Sequence, residues 1–213
     1  MIVHAYGGLC NRLRVILSYR AVHGEIGVVW LADEEIAGAR FLDVFEPIAG
    51  VQWMADNCRA DVRTLGAHRG APLGSEVAYR ELRMLAPAEL PAKPYAAIHV
   101  RRTDHVHLAT TAGTFTDDLA FMEWIRRTTY GRVYIATDNR DTQEKMATAC
   151  VAHGKRPLSR DAIPVSECQR QTTLEHSAFD LFACAHADAF MGSGESSFSA
   201  TIETLRSIGG WWT

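Results

Sequence analysis

The strongest constraint in this sequence is one local order that recurs: a short apolar run, a glycine or polar break at its end, then a longer amphipathic segment. Parallel strands need a crossover segment between them, so this alternation specifies an α/β fold with parallel sheets. The pattern is cleanest in the second half. Tyr95 to Arg101 (YAAIHVR) predicts a strand, residues 117–129 a helix, Arg132 to Thr137 (RVYIAT) a strand and Arg140 to Ala152 a helix. Thr172 to Ala185 predicts a further helix, Ala187 to Met191 a strand and Ser197 to Ser207 a last helix. The order β-α-β-α-α-β-α is that of a nucleotide-binding, doubly wound half.

The first half carries the same signal more faintly. Ile2 to Tyr6 predicts a strand that runs through Gly7-Gly8 into a helix from about Asn11 to His23, and Gly27 to Leu31 (GVVWL) a second buried strand. Between residues 32 and 86 only a short strand at Val51 to Met54 is legible, and Gly66 to Gly74 predicts loop. PAELPAKP, residues 87–94, holds three prolines, which continue neither a helix nor a central strand; it predicts a linker. The expected division is an N-terminal α/β lobe over 1–90 and a C-terminal nucleotide-binding lobe over 91–213.

Composition narrows the partners. The 213 residues are 47% hydrophobic and 22% charged, a globular balance, and the formal charge of −3 argues against nucleic acid. An anion site must then be local, built from a few arginines and helix N-termini. Five cysteines (Cys10, Cys58, Cys150, Cys168, Cys184) form no CxxC pair, so buried thiols are expected rather than a zinc site or disulfides. The N-terminus reads as no signal peptide, and no apolar run approaches the ~18 residues of a membrane span. A cytoplasmic chain is expected.

Four segments carry chemistry. In AIHVRRTDH, residues 97–105, Arg101 and Arg102 follow an apolar strand and are flanked by His99 and Asp104. Arginine presents a fixed fork of donors that suits phosphate oxygens, and this end of a parallel strand faces the ligand crevice. The alternative is structural, one arginine bridged to Asp104 and the other solvated. In YGGLCNRLR, residues 6–14, Gly7 and Gly8 precede a helix whose N–H groups could face an anion, or else form a tight turn with Asn11 as a cap. In VYIATDNRD, residues 133–141, Asp138 and Asn139 end a strand; either could line the crevice or cap the next helix. The fourth, residues 179–205, has Asp180 on a helix and Gly192-Ser193-Gly194-Glu195-Ser196-Ser197 leading into another. Small hydroxyl residues there make a phosphate cradle, and a serine N-cap explains part of the run.

Other chemistries lack their motifs. There is no P-loop, no Asp-x-Asp, no nucleophile elbow around Ser196 and no dinucleotide fingerprint, which disfavours an oxidoreductase. His105 and His107 share one segment that could bind metal, although scattered histidines are the simpler reading.

Taken together, HVRRTD (99–104), VYIATDN (133–139), Asp180 and AD…GS…SSFS (187–199) resemble the fucosyltransferase superfamily, which includes the α1,6-fucosyltransferases and the protein O-fucosyltransferases. Gly7-Gly8-Leu9-Cys10-Asn11-Arg12 is similar to the glycine-rich turn and asparagine of the O-fucosyltransferases. The resemblance implies a GT-B-like fold with two Rossmann-like lobes, the N-terminal one reduced. It implies L-fucose transfer from GDP-fucose to a glycan or protein acceptor, inverting and with no metal cofactor. Gly7, Gly8, His99, Arg101, Arg102, Asp104, Asp138, Asp180, Ser196 and Ser197 would bind the donor: Arg101 the diphosphate, helped by Arg102, Ser196 and Ser197, and Asp180 the guanine. Arg101 and Asn11 would be catalytic.

The sequence departs from the α1,6-enzymes after the arginines, where HVHLATTAG (105–113) offers no carboxylate before Asp117. His105, His107, Asp117 or Asn11 could serve the acceptor, Asn11 first among them. A transferase of another GDP-sugar (rhamnose, mannose) and an inactive GDP-sugar-binding module are the competing readings. The acceptor is not legible; Trp53, Trp124, Trp211 and Trp212 are the aromatic residues that could stack on a sugar, though tryptophans are more often core or terminal residues.

Overall fold

The computed structural model describes residues 1–32, 38–69, 78–85, 89–102, 110–160 and 172–209. The chain divides into two units, one of Met1–Ala88, Thr173–Ala178 and Ser207–Thr213, the other of Glu89–Thr172 and Phe179–Arg206. The first change of unit, after Ala88, falls within residues 87–94, of which 87 and 88 lie outside the described residues.

The first unit is built on a parallel sheet of β1 (Ile2–Ala5), β2 (Ile26–Val29), β3 (Val51–Met54) and β4 (Val62–Thr64), in the order β3-β2-β1-β4. Helix α1 (Leu9–His23) follows β1 and buries Leu13, Ile16 and Leu17 in the core with Val3, Ala5 and Val28. A 3-10 turn (Phe41–Asp43) places Phe41 in an aromatic stack, 4.2 Å from Trp53 and 4.8 Å from Phe45 between ring centres. Trp53, half-buried, is therefore held in this stack.

The second unit repeats the order. Strands β5 (Ala96–Val100), β6 (Arg132–Thr137), β7 (Arg156–Leu158) and β8 (Ala189–Gly192) form a parallel sheet ordered β7-β6-β5-β8. The crossovers are α2 (Asp118–Arg127), α3 (Arg140–Ala152) and α4 (Leu174–His186), and α5 (Ser197–Ile208) follows β8. Every residue of β5 is buried, as expected of a strand covered on both faces. Ile98, Val100, Phe121, Ile125, Val133, Ile135, Met146 and Cys150 make one apolar cluster, with Trp124 packed at its margin. Cys10, Cys150 and Cys184 are buried thiols.

Two strands escape the sequence pattern, both three residues long at a sheet edge. Strand β4 reads VRT and β7 reads RPL, with Pro157 paired to Val133. Proline tolerates an edge because one side of the strand makes no ladder, and a run this short shows no periodicity. Among the described residues no helix is long and apolar enough to cross a membrane.

Candidate functional site

In each sheet the chain first moves outward from the opening strand in one direction and then returns to its other side. In the second sheet this reversal falls between β5 and β8, and in open parallel sheets ligands bind outside the carboxyl ends at such a point. There the ends of β5, β6 and β8 are knitted together by three polar side chains. The Ser193 N–H and hydroxyl both donate to the His99 carbonyl, at 3.0 and 3.2 Å, and the Ser193 oxygen accepts the Arg101 N–H at 2.9 Å. Asp138, only 4% exposed, grips the next two residues. Its Oδ2 lies 3.1 Å from Arg101 Nε and its Oδ1 accepts the Arg102 N–H at 3.1 Å. Thr137 adds a hydroxyl bond to the Val100 carbonyl at 2.7 Å. Arginines at a strand end need such anchoring if their guanidinium is to hold one position.

The two arginines have different employment. The Arg102 guanidinium donates to Asp118 Oδ1 from Nε (2.9 Å) and Nη2 (2.7 Å), to the Thr116 carbonyl (2.9 Å) and to the Arg101 carbonyl (2.9 Å). It also lies 5.0 Å above the Phe115 ring and 5.6 Å above that of Phe121. Burial raises the Asp118 carboxyl, but hydrogen bonds from Lys145 and Arg102 outweigh it and hold the group below its ordinary range. Arg102 is thus a strut between the end of β5 and the start of α2. Arg101, with 19% of its side chain exposed, keeps more contact with solvent than Arg102 at 12%.

The turn from β8 into α5 is tight. A Cβ on Gly192 would fall 2.6 Å from Ser199 Cβ, and one on Gly194 2.3 Å from the Thr114 carbonyl oxygen. Glu195 takes the left-handed region (φ 54°), which side chains seldom adopt. Ser196 then caps α5: its Oγ accepts the Ser199 N–H at 3.4 Å and its carbonyl the Ala200 N–H at 2.9 Å. The N-terminus of α5 carries the partial positive charge that favours an anion. The same helix orients His99, whose Nδ1 is 2.8 Å from Ser199 Oγ and whose ring stacks on Phe198 at 4.6 Å.

Asp180, on α4, is 5% exposed and accepts the Tyr134 hydroxyl at 2.6 Å. Burial pushes its carboxyl up to about 7, against the lowering effects of the Tyr134 bond and the Arg160 charge. Burial and the facing carboxylate push the Tyr134 phenol up as well.

In the first unit, Gly7 (φ 85°) and Gly8 turn β1 into α1. A Cβ on Gly7 would meet Asn11 at 3.3 Å, and no side chain caps this helix. Asn11 Oδ1 accepts from Arg14 at 2.9 Å. Arg12, 1% exposed, donates to the Gly7 carbonyl at 2.7 Å and the Leu31 carbonyl at 2.6 Å, and lies 4.7 Å over Trp30.

No family model matches the sequence, and no curated protein matches it. Solved structures do. A complex of POFUT1 with GDP superposes with a TM-score of 0.63 at 10% identity, covering 98% of this chain and 96% of that one. The fucosyltransferase NodZ from Bradyrhizobium gives 0.60 at 13% identity, covering 96% of this chain and 92% of that one. The fold is that of the fucosyltransferases. POFUT1 with GDP-fucose gives 0.50 at 14% identity over 74% of this chain and 51% of that one; this chain spans about half the length of that neighbour. Two parallel α/β halves match the GT-B arrangement of these structures.

Within this fucosyltransferase-like fold, His99, Arg101, Arg102, Asp138, Ser196 and Ser197 come together at the carboxyl edge of the second sheet or at the start of α5. Gly7, Gly8 and Asn11 lie in the first unit, and Asp180 lies against β6 through Tyr134. Asp104, His105, His107, Trp211 and Trp212 lie outside the described residues. Two residues that the sequence left with more than one reading have a structural role. Asn139, not Asp138, caps α3, accepting the Thr142 N–H at 2.9 Å, and Asp117 caps α2, accepting the Ala120 N–H at 2.7 Å. The expectation that Arg102 helps hold a diphosphate meets a guanidinium already bound by Asp118 and two carbonyls. Sequence reasoning missed Ser193, Asp118 and Tyr134. Ser193 stood inside the quoted serine-rich turn, whereas Asp118 and Tyr134 reach their partners only through the tertiary fold.

Proposed function

We propose that this chain transfers L-fucose from GDP-fucose to a glycan or protein acceptor, with inversion and without a metal cofactor. The observation that carries this reading is Arg101, fixed by Asp138 and Ser193 at the switch point of the second sheet. In such a transfer the bond from fucose C1 to the diphosphate oxygen breaks and its electron pair leaves with GDP. The acceptor oxygen forms the new bond from the opposite face, and its proton passes to water. Negative charge grows on the departing diphosphate, and a guanidinium already in place stabilises it without reorganisation. Ser196, Ser197 and the N-terminus of α5 add donors for the same phosphates. Asp138 and His99 border the nucleotide, and Asp180 accepts the paired N–H donors of the guanine edge, which uracil lacks. Arg102 acts by holding the end of β5 to the start of α2. Gly7 and Gly8 admit close backbone approach to the donor, and Asn11 polarises the acceptor hydroxyl.

The capping role of Asp117 favours one second reading, a GDP-sugar-binding module without turnover, because the first carboxylate after Asp104 is spent on a helix end. Donor hydrolysis and transfer assays with GDP-fucose, GDP-rhamnose and GDP-mannose, run beside GDP calorimetry, separate the two. For the enzyme, Arg101→Ala is expected to lower turnover by ~10²–10³ with the fold intact. Near-normal turnover in that variant removes the proposal, and GDP binding without any turnover in the wild type selects the binding module.

A further inference from the structure

The first unit holds a pair of imidazoles that the proposed reaction does not use. His23 ends α1, and His68 follows β4, 45 residues later. Their Nε2 atoms stand 3.3 Å apart, with ring centres at 5.1 Å and planes at 77°. Tyr19, one helical turn before His23, packs against both rings, at 6.2 Å from His23 and edge-on at 4.6 Å from His68. The His68 backbone N–H donates to Ser18 Oγ at 2.9 Å, which fixes the segment that carries it. His23 is exposed, whereas Nδ1 of His68 is buried; the nitrogen His68 presents is Nε2.

Two neutral imidazoles at this separation can share one proton. The same separation is also the edge of a tetrahedron around a metal ion: bonds of ~2.0–2.1 Å at the tetrahedral angle place two ligand nitrogens ~3.3–3.4 Å apart. We propose that His23 and His68 form a two-histidine site for a late first-row divalent cation such as Zn²⁺ or Ni²⁺, completed by water. Imidazole selects these ions, while Mg²⁺ and Ca²⁺ require oxygen ligands. Among the described residues no group of three or more His, Cys, Asp or Glu side chains is placed to hold a metal, so the site is a reversible two-point clamp rather than a closed structural centre. Occupied, it would tie the end of α1 to the segment after β4. Little ordering is needed for binding, because Tyr19 and Ser18 already hold both partners.

The test is calorimetry and thermal unfolding of the full chain with ZnCl₂, NiCl₂ and MgCl₂. One Zn²⁺ or Ni²⁺ per chain is expected to bind saturably and raise the melting temperature, with Mg²⁺ inert at this pair. Binding is expected to be lost in His23→Gln and in His68→Gln and kept in His153→Gln, a control at the exposed end of α3. Should His68→Gln fold poorly, exposed His23 still decides the outcome. Absence of saturable Zn²⁺ and Ni²⁺ binding, or binding that survives His23→Gln, would show that the pair is a hydrogen bond and nothing more.

Discussion

Replacing Asp180 by asparagine is expected to stabilise the fold above neutral pH while removing selective GDP binding. An aspartate with an ordinary value of 3.8 is pushed up by burial to about 7, so the folded state binds its proton more tightly than the unfolded state does. The sign follows. The stabilisation is complete below the unfolded value and is lost progressively as pH rises from about 4 through about 7. Each tenfold in proton affinity is ~1.4 kcal/mol, which makes the whole loss about 4 kcal/mol. Asparagine keeps an acceptor for the Tyr134 hydroxyl and never ionises, but its new NH₂ group needs a partner, costing ~1 kcal/mol or more. The expected net gain for Asp180→Asn at pH 8.5 is about 3 kcal/mol, or roughly 6–12 °C for a chain of this size. At pH 4.5 the gain should be gone. If the carboxylate pairs with guanine, the same variant also loses discrimination of GDP from UDP by calorimetry. Retaining a costly buried acid is the signature expected of a binding residue, since stability alone would select the amide. A wild type and variant that melt in parallel from pH 5 to 9 would refute the buried-acid reasoning. GDP selectivity unchanged in Asp180→Asn would refute the guanine contact.

Two further substitutions probe the scaffold of the site. Asp118→Asn weakens the strut to Arg102 and is expected to cost about 1–2 kcal/mol above the carboxylate range. Because Asp118 is held below its ordinary value, that contribution fades in the wild type as acid protonates the group; melts of the two proteins should converge in acid, and identical melts at neutral pH would mean the strut is idle. Gly194→Ala places a Cβ 2.3 Å from the Thr114 carbonyl oxygen and is expected to destabilise by ~1–3 kcal/mol, read by denaturant unfolding; an unchanged midpoint would show that the 110–117 segment does not pack on this turn.

The parts of the fold legible in the sequence are those with local causes. Strand β5 announced itself because five consecutive residues are buried, and α5 because Ser196 caps it where the serine run predicted a helix start. The three-residue strands β4 and β7 were silent, since a ladder of that length depends on its neighbour rather than on its own pattern. The same divide runs through the site. Arg101 and Asp138 were visible as strand-end polar residues. The commitment of Arg102 to Asp118 was not, because it joins residues 16 apart, and neither was the Tyr134–Asp180 bond, 46 residues apart.

The two halves of the chain employ their arginines differently among the described residues. Both sheets share one strand order. In the first unit Arg12 is turned inward, 1% exposed, and its donors close the Gly7 turn onto the end of β2. Its charge serves the backbone and the Trp30 ring. In the second unit that closing task is divided: Ser193 ties β8 to β5, Arg102 ties β5 to α2, and Asp138 holds both arginine residues in register. With the scaffold carried by these three, Arg101 keeps one-fifth of its side chain exposed at the carboxyl edge. A guanidinium whose backbone and Nε are fixed at the carboxyl edge is suited to meet charge that appears only during a reaction. Two copies of one topology therefore place a cation differently, and fold likeness alone does not predict the chemistry of either.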